Sequence, residues 1–485
     1  MIAVSRRELA LVVALALAFA AGEFALSGWM ELSFDEAYYL LWSRHLDWGY
    51  LDHPPMVALW IRISTTIFGA DEFGVRALGV TVFTLLAPAI GLTACRAFNS
   101  PGIGVYSALV WLTTPLMSAA LFATPDAPLT LFAFCALAGL FAVWRGQAAG
   151  WAVVGIALGL ALQSKFSALF LGAGVASAMI ATPSLRRWWK SPAPYLAAFV
   201  AFAISAPFVA WNAAHDWETF AKQFARVPAS GLELRFVPEF LGGWLAFANP
   251  LFVVAAAGWL LVASRASASR DAEARSILLA YVAPAFVYFL VHSLHDRVQA
   301  NWLMPLYPAS VMLVGAAMAE GPRWARRTAA VGVGLGALAI ALFLAHAATS
   351  WPALGLADPV ARIGDWRRLA KAVDAKAREE HAAFILAHGY APAALLSVYC
   401  DPAIPVFQEE ERERWEFAPA PDMSLFSKPG LAFSDADRRF DVILARHFRH
   451  VESLGRLPRY VGGAEAGVYE MFRVSDPFGP VFEGP

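Results

Sequence analysis

Long apolar runs recur from the start of this chain to residue 348, and they decide what it can fold into. A helix needs about 20 predominantly apolar residues to cross a bilayer. Eleven such segments are read, near residues 9–29, 73–95, 102–122, 127–144, 150–164, 166–183, 193–211, 237–263, 276–292, 301–319 and 328–348. Composition agrees: 59% of residues are hydrophobic and 15% charged, with mean hydropathy +0.54. Soluble domains are roughly 45–50% apolar and about 25% charged. The expectation is a mostly α, polytopic membrane protein with about 11 transmembrane helices. Segments 150–164 and 166–183 are short and parted only by Lys165, so they predict a tight hairpin or a re-entrant piece.

Lysine and arginine mark the cytoplasmic side of such a chain. With the N-terminus inside, the inner loops collect Arg6, Arg7, Arg96, Arg145, Arg186, Arg187, Lys190, Arg265, Arg270, Arg275, Arg323, Arg326 and Arg327. The outer loops hold fewer: Lys165, Lys222, Arg226, Arg235 and Arg297. The alternation keeps its sign at every turn, and an odd count of spans puts the C-terminal region outside. A signal peptide cleaved at Ala18-Phe19-Ala20 is the other reading of the first segment, but the apolar run continues to Trp29 and is long enough to span. The chain is expected to be a multi-pass inner-membrane protein. A net charge of -1 and a pI near 6.8 argue against nucleic acid as a partner, which calls for a basic face. Cys95, Cys135 and Cys400 are too scattered for a disulfide framework or a metal quartet.

Two outer stretches are large. Within residues 31–72, Met56, Val57, Leu59, Trp60, Ile63 and Ile67 recur at helical spacing and predict an amphipathic helix in the interface. Residues 350–485 change character: they are charged, Pro-rich and without a spanning segment. The chain therefore divides into a membrane domain, 1–349, and a small outer α/β domain, 350–485. In the latter Trp366, Leu369, Ala370 and Val373 predict an amphipathic helix, and Ala383–Ala387, Val442–Leu444 and Val468–Phe472 predict strands.

The polar residues that stand out cluster on the predicted outer side. Asp35 and Glu36 follow the first span, and adjacent acids at a membrane boundary are costly unless solvated or used. Leu51-Asp52-His53-Pro54-Pro55 adds an acid, a titratable ring and a rigid turn. Asp126 opens the fourth span in Ala123-Thr124-Pro125-Asp126-Ala127-Pro128, where a helix N-cap is the plain explanation.

These motifs, taken together, resemble the GT-C membrane glycosyltransferases, with the lipid A aminoarabinose transferases and protein O-mannosyltransferases closest in pattern. Gln163-Ser164-Lys165-Phe166, Trp211-Asn212 with His215-Asp216-Trp217, Asn301-Trp302, Tyr307-Pro308, Gly364-Asp365-Trp366 and Arg414-Trp415-Glu416-Phe417 extend the likeness over nearly the whole chain. The resemblance implies a GT-C fold and a polyprenyl-phosphate (undecaprenyl-phosphate) sugar donor used at the periplasmic face. It also implies inverting transfer to an envelope acceptor: lipid A or its core, another glycan, a protein or a small lipid. It makes Asp35 the base, Glu36 a secondary acid, and Asp126 the second acidic position. Displacement at an anomeric carbon needs a base for the acceptor hydroxyl and donors for the leaving phosphate.

Two positions depart from the aminoarabinose subfamily. Tyr38 stands where those enzymes carry Arg, and His53 where they carry Lys before the Pro-Pro. Lys165, Arg297 and His53 are the candidates to replace those phosphate contacts. Two have plainer roles: Lys165 snorkelling to the interface and Arg297 pairing with neighbouring Asp296. No cofactor is certain, but Asp52, His215 and His295 form a candidate divalent-cation set, against hydrogen-bonded histidines as the default. A transporter or lipid flippase is the rival reading. It fits the helix count, but the acids gather at one face and no repeated halves appear. A scaffold would leave the loop acids unexplained.

Overall fold

The computed structural model describes residues 6–224, 231–263, 270–352, 358, 360–479 and 481–482, with the side chains of Phe224 and Arg270 left aside. Arg226 and Arg265, counted above among the loop charges, lie outside the described residues. The helices begin with α1 (Arg6–Trp29), α2 (Phe34–Arg44), α3 (Met56–Phe68), α4 (Glu72–Phe98), α5 (Pro101–Thr113), α6 (Asp126–Trp144) and α7 (Gly150–Leu162). They continue as α8 (Leu169–Ala181), α9 (Ala193–Ala214), α10 (Glu218–Phe224), α11 (Phe236–Ala248), α12 (Pro250–Ala263), α13 (Arg270–His292), α14 (Tyr307–Glu320) and α15 (Arg323–Thr349). The C-terminal region holds α16 (Trp366–Glu379), α17 (Tyr390–Tyr399) and α18 (Phe440–His447). Its strands are β1 (Ile385–Ala387), β2 (Val406–Gln408), β3 (Gly430–Asp435), β4 (Phe448–Val461) and β5 (Ala464–Pro477). The described residues form two compact units, one drawn from 1–25, 52–57 and 76–344, the other from 26–51, 58–75 and 345–485.

In the first unit every apolar segment read from the sequence is helical. Seven helices among the described residues are long and apolar enough to span, and three bent pairs bring the number to ten if each counts as one span. The three bends, of 61°, 108° and 89°, fall at Thr114-Pro115, Thr182-Pro183 and Asn249-Pro250. Proline has no N–H to donate back and forces its predecessor out of helical geometry. Asn249 completes its break with φ +66. Its side chain accepts from Leu251 N at 3.1 Å and donates to Gly332 O at 2.8 Å, so polar groups freed by the bend are satisfied internally. The one segment not among these ten, the fifth, is α7, with 13 residues, about 20 Å of helix against a hydrocarbon core of about 30 Å.

Close helix approach organises this bundle. A Cβ on Gly150 of α7 would lie 2.6 Å from Gly139 O of α6, and one on Gly139 would lie 3.0 Å from Gly150 O. Apolar attraction between helices is weak in lipid, so such small-residue contacts supply packing. Two large buried side chains reach backbone acceptors: Trp111 Nε1 donates to Phe83 O at 2.9 Å and Tyr281 Oη to Ala133 O at 2.8 Å. Helix α1 runs unbroken through Ala18-Phe19-Ala20, with Phe19 buried in the core.

The second unit is built on a five-stranded sheet of order β2-β1-β3-β5-β4. Strands β2, β1 and β3 are parallel, and β5 and β4 complete the sheet antiparallel. Pro458 lies in β4, an edge strand, where a missing N–H costs no interior ladder bond. The predicted helix is α16, with Trp366, Leu369, Ala370 and Val373 all buried. The predicted strands at 383–387 and 468–472 overlap β1 and β5. Val442–Leu444 is not a strand but the middle of α18. Phe440 and Leu444, one helical turn apart, are both buried in the core with Phe384, Phe426 and Phe472, and that spacing outweighs the β-branched pair in the run. The predicted interfacial helix is α3, which exposes Leu59, Ile63 and Ile67 and buries Val57 and Trp60.

Candidate active-site clusters

Asp126 opens α6, yet it does not cap the helix: Pro125 is the capping residue and no side chain closes the turn. The Asp126 side chain is buried, and its two oxygens face other elements. Lys165 Nζ donates to Oδ1 at 2.8 Å and Asn301 Nδ2 to Oδ2 at 2.8 Å. Lys165 is presented where α7 ends, in extended backbone before the 3-10 turn Phe166–Ala168, and Trp302 places its ring 5.8 Å from Nζ. Asn301 comes from the 3-10 turn Ala300–Leu306 that leads into α14. Lys165 is therefore a charge partner within a defined cluster rather than a side chain reaching freely to the interface.

A second acid lies close by in the same unit. Asp52 pairs with Lys222 of α10 at 3.3 Å, and Gln223 Nε2 donates to Asp52 O at 2.8 Å. Phe220 of α10 packs on Phe166 at 4.8 Å, next in sequence to Lys165, while Met56 N donates to Gln163 O at 2.9 Å. The motifs around Asp52, Asp126, Lys165 and Asn301 thus converge. His53 is half-buried between Asp52 and the Pro-Pro turn.

Three other predicted residues are placed differently. His215 uses Nδ1 on Trp211 O at 2.8 Å and stacks on the Trp211 ring at 3.9 Å. His295 is half-buried in the turn after α13. Among the described residues, the group of three possible ligands close enough to share an ion is His388, Glu409 and Glu410, so Asp52, His215 and His295 do not converge as a metal set. Arg297 takes the Asp296 carboxylate on its backbone N–H at 2.7 Å, but its guanidinium pairs with Glu239 of α11, not with Asp296.

In the second unit, Ser33-Phe34-Asp35-Glu36 starts α2 with a capping box. Ser33 Oγ accepts from Glu36 N at 3.3 Å, and Glu36 Oε2 accepts from Ser33 N and Ser33 Oγ at 3.0 Å each. Glu36 is fully buried. Asp35 points elsewhere: it is half-buried, and Tyr390 Oη donates to its Oδ1 at 3.4 Å. Tyr38 is buried, donates to Arg414 O at 2.9 Å, and packs among Trp42, Tyr390, Trp415 and Phe417. The aromatic substitute for the subfamily's arginine is therefore a packing residue held by the Arg414–Phe417 motif. Upstream, Glu31 accepts from Trp366 N at 2.6 Å and Arg367 N at 3.3 Å; burial nonetheless raises its carboxyl above the usual range.

Sequence reasoning passed over four partners. Asn301 was read only as part of a motif and Lys222 only as a loop charge; Gln223 and Tyr390 carried no local signal. The capping role of Glu36 was legible in the Ser-x-x-Glu pattern.

Known proteins resemble this chain in sequence and in fold. The family model for dolichyl-phosphate-mannose-protein mannosyltransferases matches residues 52–211. The lipid A galacturonosyltransferase RgtD of Rhizobium johnstonii is 29% identical over 285 residues, 58% of this chain and 59% of that protein. The undecaprenyl phosphate-alpha-4-amino-4-deoxy-L-arabinose arabinosyl transferase 1 of Pseudomonas fluorescens is 28% identical over 286 residues, 54% of this chain and 47% of its own. The matched regions thus span about half the length of these curated relatives. Among solved structures, ArnT from Cupriavidus metallidurans bound to undecaprenyl phosphate superposes with TM-score 0.67 at 16% identity, covering 99% of this chain and 100% of that one. An oligosaccharyltransferase from Archaeoglobus fulgidus gives TM-score 0.53 at 14% identity, over 89% of this chain and 69% of its own. The chain is a polytopic membrane protein with the fold of the GT-C membrane glycosyltransferases.

Proposed function

We propose that this chain is an inverting glycosyltransferase that moves a sugar from polyprenyl phosphate to a cell-envelope glycolipid, with lipid A as the favoured acceptor. The observation that carries the reading is the division of labour at the start of α2. Glu36 is engaged by the capping box, while the Asp35 carboxylate, one position earlier on the helix, accepts from Tyr390 Oη. Asp35 takes the proton of an acceptor hydroxyl, the oxygen attacks the anomeric carbon, and the polyprenyl phosphate leaves with inverted configuration at the sugar. The names of the two curated relatives support a lipid A acceptor and an undecaprenyl-phosphate donor.

The leaving phosphate needs cationic donors. Lys165 is the first candidate, because an ammonium has three donors and only one is committed to Asp126. Arg297 and His53 follow, and Asp126 holds Lys165 in place. The protein sits in a bacterial inner membrane with its N-terminus cytoplasmic. Residues 1–349 carry the transferase chemistry and 350–485 form a periplasmic domain; the lysine and arginine asymmetry supports this orientation.

The test is turnover by the purified full chain in detergent, with polyprenyl-phosphate sugars and lipid A, read by mass spectrometry. A glycosylated lipid A product is expected without any sealed vesicle. No sugar transfer to any envelope acceptor, with flux appearing only in vesicles, would replace the reading by the transporter.

A further inference from the structure

We propose that His388, Glu409 and Glu410 form a divalent-cation site at the carboxyl edge of the parallel half of the C-terminal sheet. Strands β1 and β2 are parallel and in register, with Ala387 opposite Gln408. The next residue of each, His388 and Glu409, therefore leaves the sheet side by side. The backbone fixes both: His388 N donates to Phe433 O at 3.0 Å and Glu409 N to Ala387 O at 2.9 Å. Ligands of open parallel sheets bind beyond the carboxyl ends of the strands, which is where this group stands.

The side chains supply the donors. Glu409 Oε2 lies 2.9 Å from His388 Nδ1, and Glu410 Oε2 lies 3.7 Å from Nε2. One ligand atom from each of the three falls within 4.8 Å of the others. The His388 ring rests against Phe440, centroids 4.9 Å apart, which fixes its plane. His388 and Glu409 are nearly enclosed while Glu410 is half-exposed, so the group has two walls and one open flank. Gly389, at φ +86, turns the chain away, and a Cβ there would meet Glu410 Oε1 only at 3.7 Å.

The electrostatics favour a cation. Two carboxylates and a neutral imidazole carry a charge of about -2, matching one divalent ion. Asp435 interacts with His388 and adds negative potential, and Arg438 opposes it. Imidazole with carboxylates suits Zn2+ or Mn2+ better than Mg2+ or Ca2+. Zinc bonds of about 2.0–2.2 Å draw ligand atoms to roughly 3.4 Å of one another. Glu410, on the open flank, can close that gap by side-chain rotation. The three protein ligands leave a fourth position for water or an anionic group.

The experiment uses the full chain in detergent, stripped with a chelator and titrated with Zn2+, then Mn2+, by calorimetry and metal analysis. One equivalent per chain is expected for the wild type, with at least a tenfold loss of affinity in His388→Ala and in Glu409→Gln/Glu410→Gln. Zn2+ should raise the unfolding midpoint of the wild type and not of the variants. Glu410→Gln alone, on an exposed side chain, keeps the test valid if the other variants fold poorly, and it too should bind more weakly. Absence of saturable binding overturns the site, as does wild-type affinity in folded Glu410→Gln; the trio is then an ordinary histidine–carboxylate ion pair.

Discussion

Removing Lys165 separates a structural role from a chemical one. Lys165 Nζ sits 2.8 Å from Asp126 Oδ1, with the Asp126 side chain 3% exposed and the Lys165 side chain 16%. Breaking a fully buried pair from one side costs about 3–5 kcal/mol, because the remaining charge stays desolvated. Water reaches Lys165, and Asn301 still donates to the other Asp126 oxygen, so Lys165→Gln should cost about 1–3 kcal/mol. Asp126→Asn leaves the lysine, the more accessible partner, and should cost less. The double variant places two neutral amides that can bond each other, and it should fall short of the summed single costs by about 1–3 kcal/mol. Unfolding in mixed detergent micelles would read the cycle, with turnover measured on the same samples. If Lys165 also holds the donor phosphate, the double variant recovers stability but not turnover. Coupling below about 0.5 kcal/mol would remove the structural role, and turnover restored together with stability would remove the phosphate role.

Other outcomes follow from single contacts. Asp35→Asn should lower turnover by about 10²–10⁴-fold with folding intact; near-normal rates would end the base assignment. Ser33→Ala removes the capping hydroxyl from a fully buried Glu36 and should destabilise by about 1–2 kcal/mol in an unfolding assay while sparing chemistry. Tyr38→Phe keeps the ring contacts and loses the bond to Arg414 O, about 0.5–1.5 kcal/mol by the same assay. Glu31 has a folded pKa above its ordinary 4.5 through burial, so it contributes stability below about pH 4.5 that is lost as pH rises through the folded value; Glu31→Gln should flatten unfolding midpoints over that window. A cysteine probe at Asp365 should label from the periplasm alone, and labelling only from the cytoplasm would invert the orientation.

The apolar segments were legible because spanning helices answer to one local rule, about 20 residues without charge. The bends were written at Thr114-Pro115, Thr182-Pro183 and Asn249-Pro250, although hydropathy averaged across them reads continuous runs. The C-terminal sheet was harder. Strand β2 has three residues, and β4 alternates charge with a register shift near Gly455, so neither leaves a clean period of two. The Val442–Leu444 error shows apolar content mistaken for period, since Phe440 and Leu444 were already spaced as a helix. Asn301, Lys222 and Tyr390 were invisible as partners because their contacts are long-range: Asn301 lies 175 residues from Asp126 and Tyr390 lies 355 from Asp35.

Helix position, more than acidity, assigns the Asp35-Glu36 pair. With Ser33 as the cap, Glu36 occupies the third helical position, from which a carboxylate folds back onto the capping N–H and hydroxyl. Asp35 occupies the second, and its carboxylate accepts from Tyr390 Oη at 3.4 Å instead. Exchanging the two acids, Asp35→Glu with Glu36→Asp, tests this directly. The shorter acid at the third position loses the reach for the cap, so unfolding should come earlier, while the longer acid at the second misplaces the base and lowers turnover. A swapped protein with wild-type stability would show that the cap does not distinguish the pair.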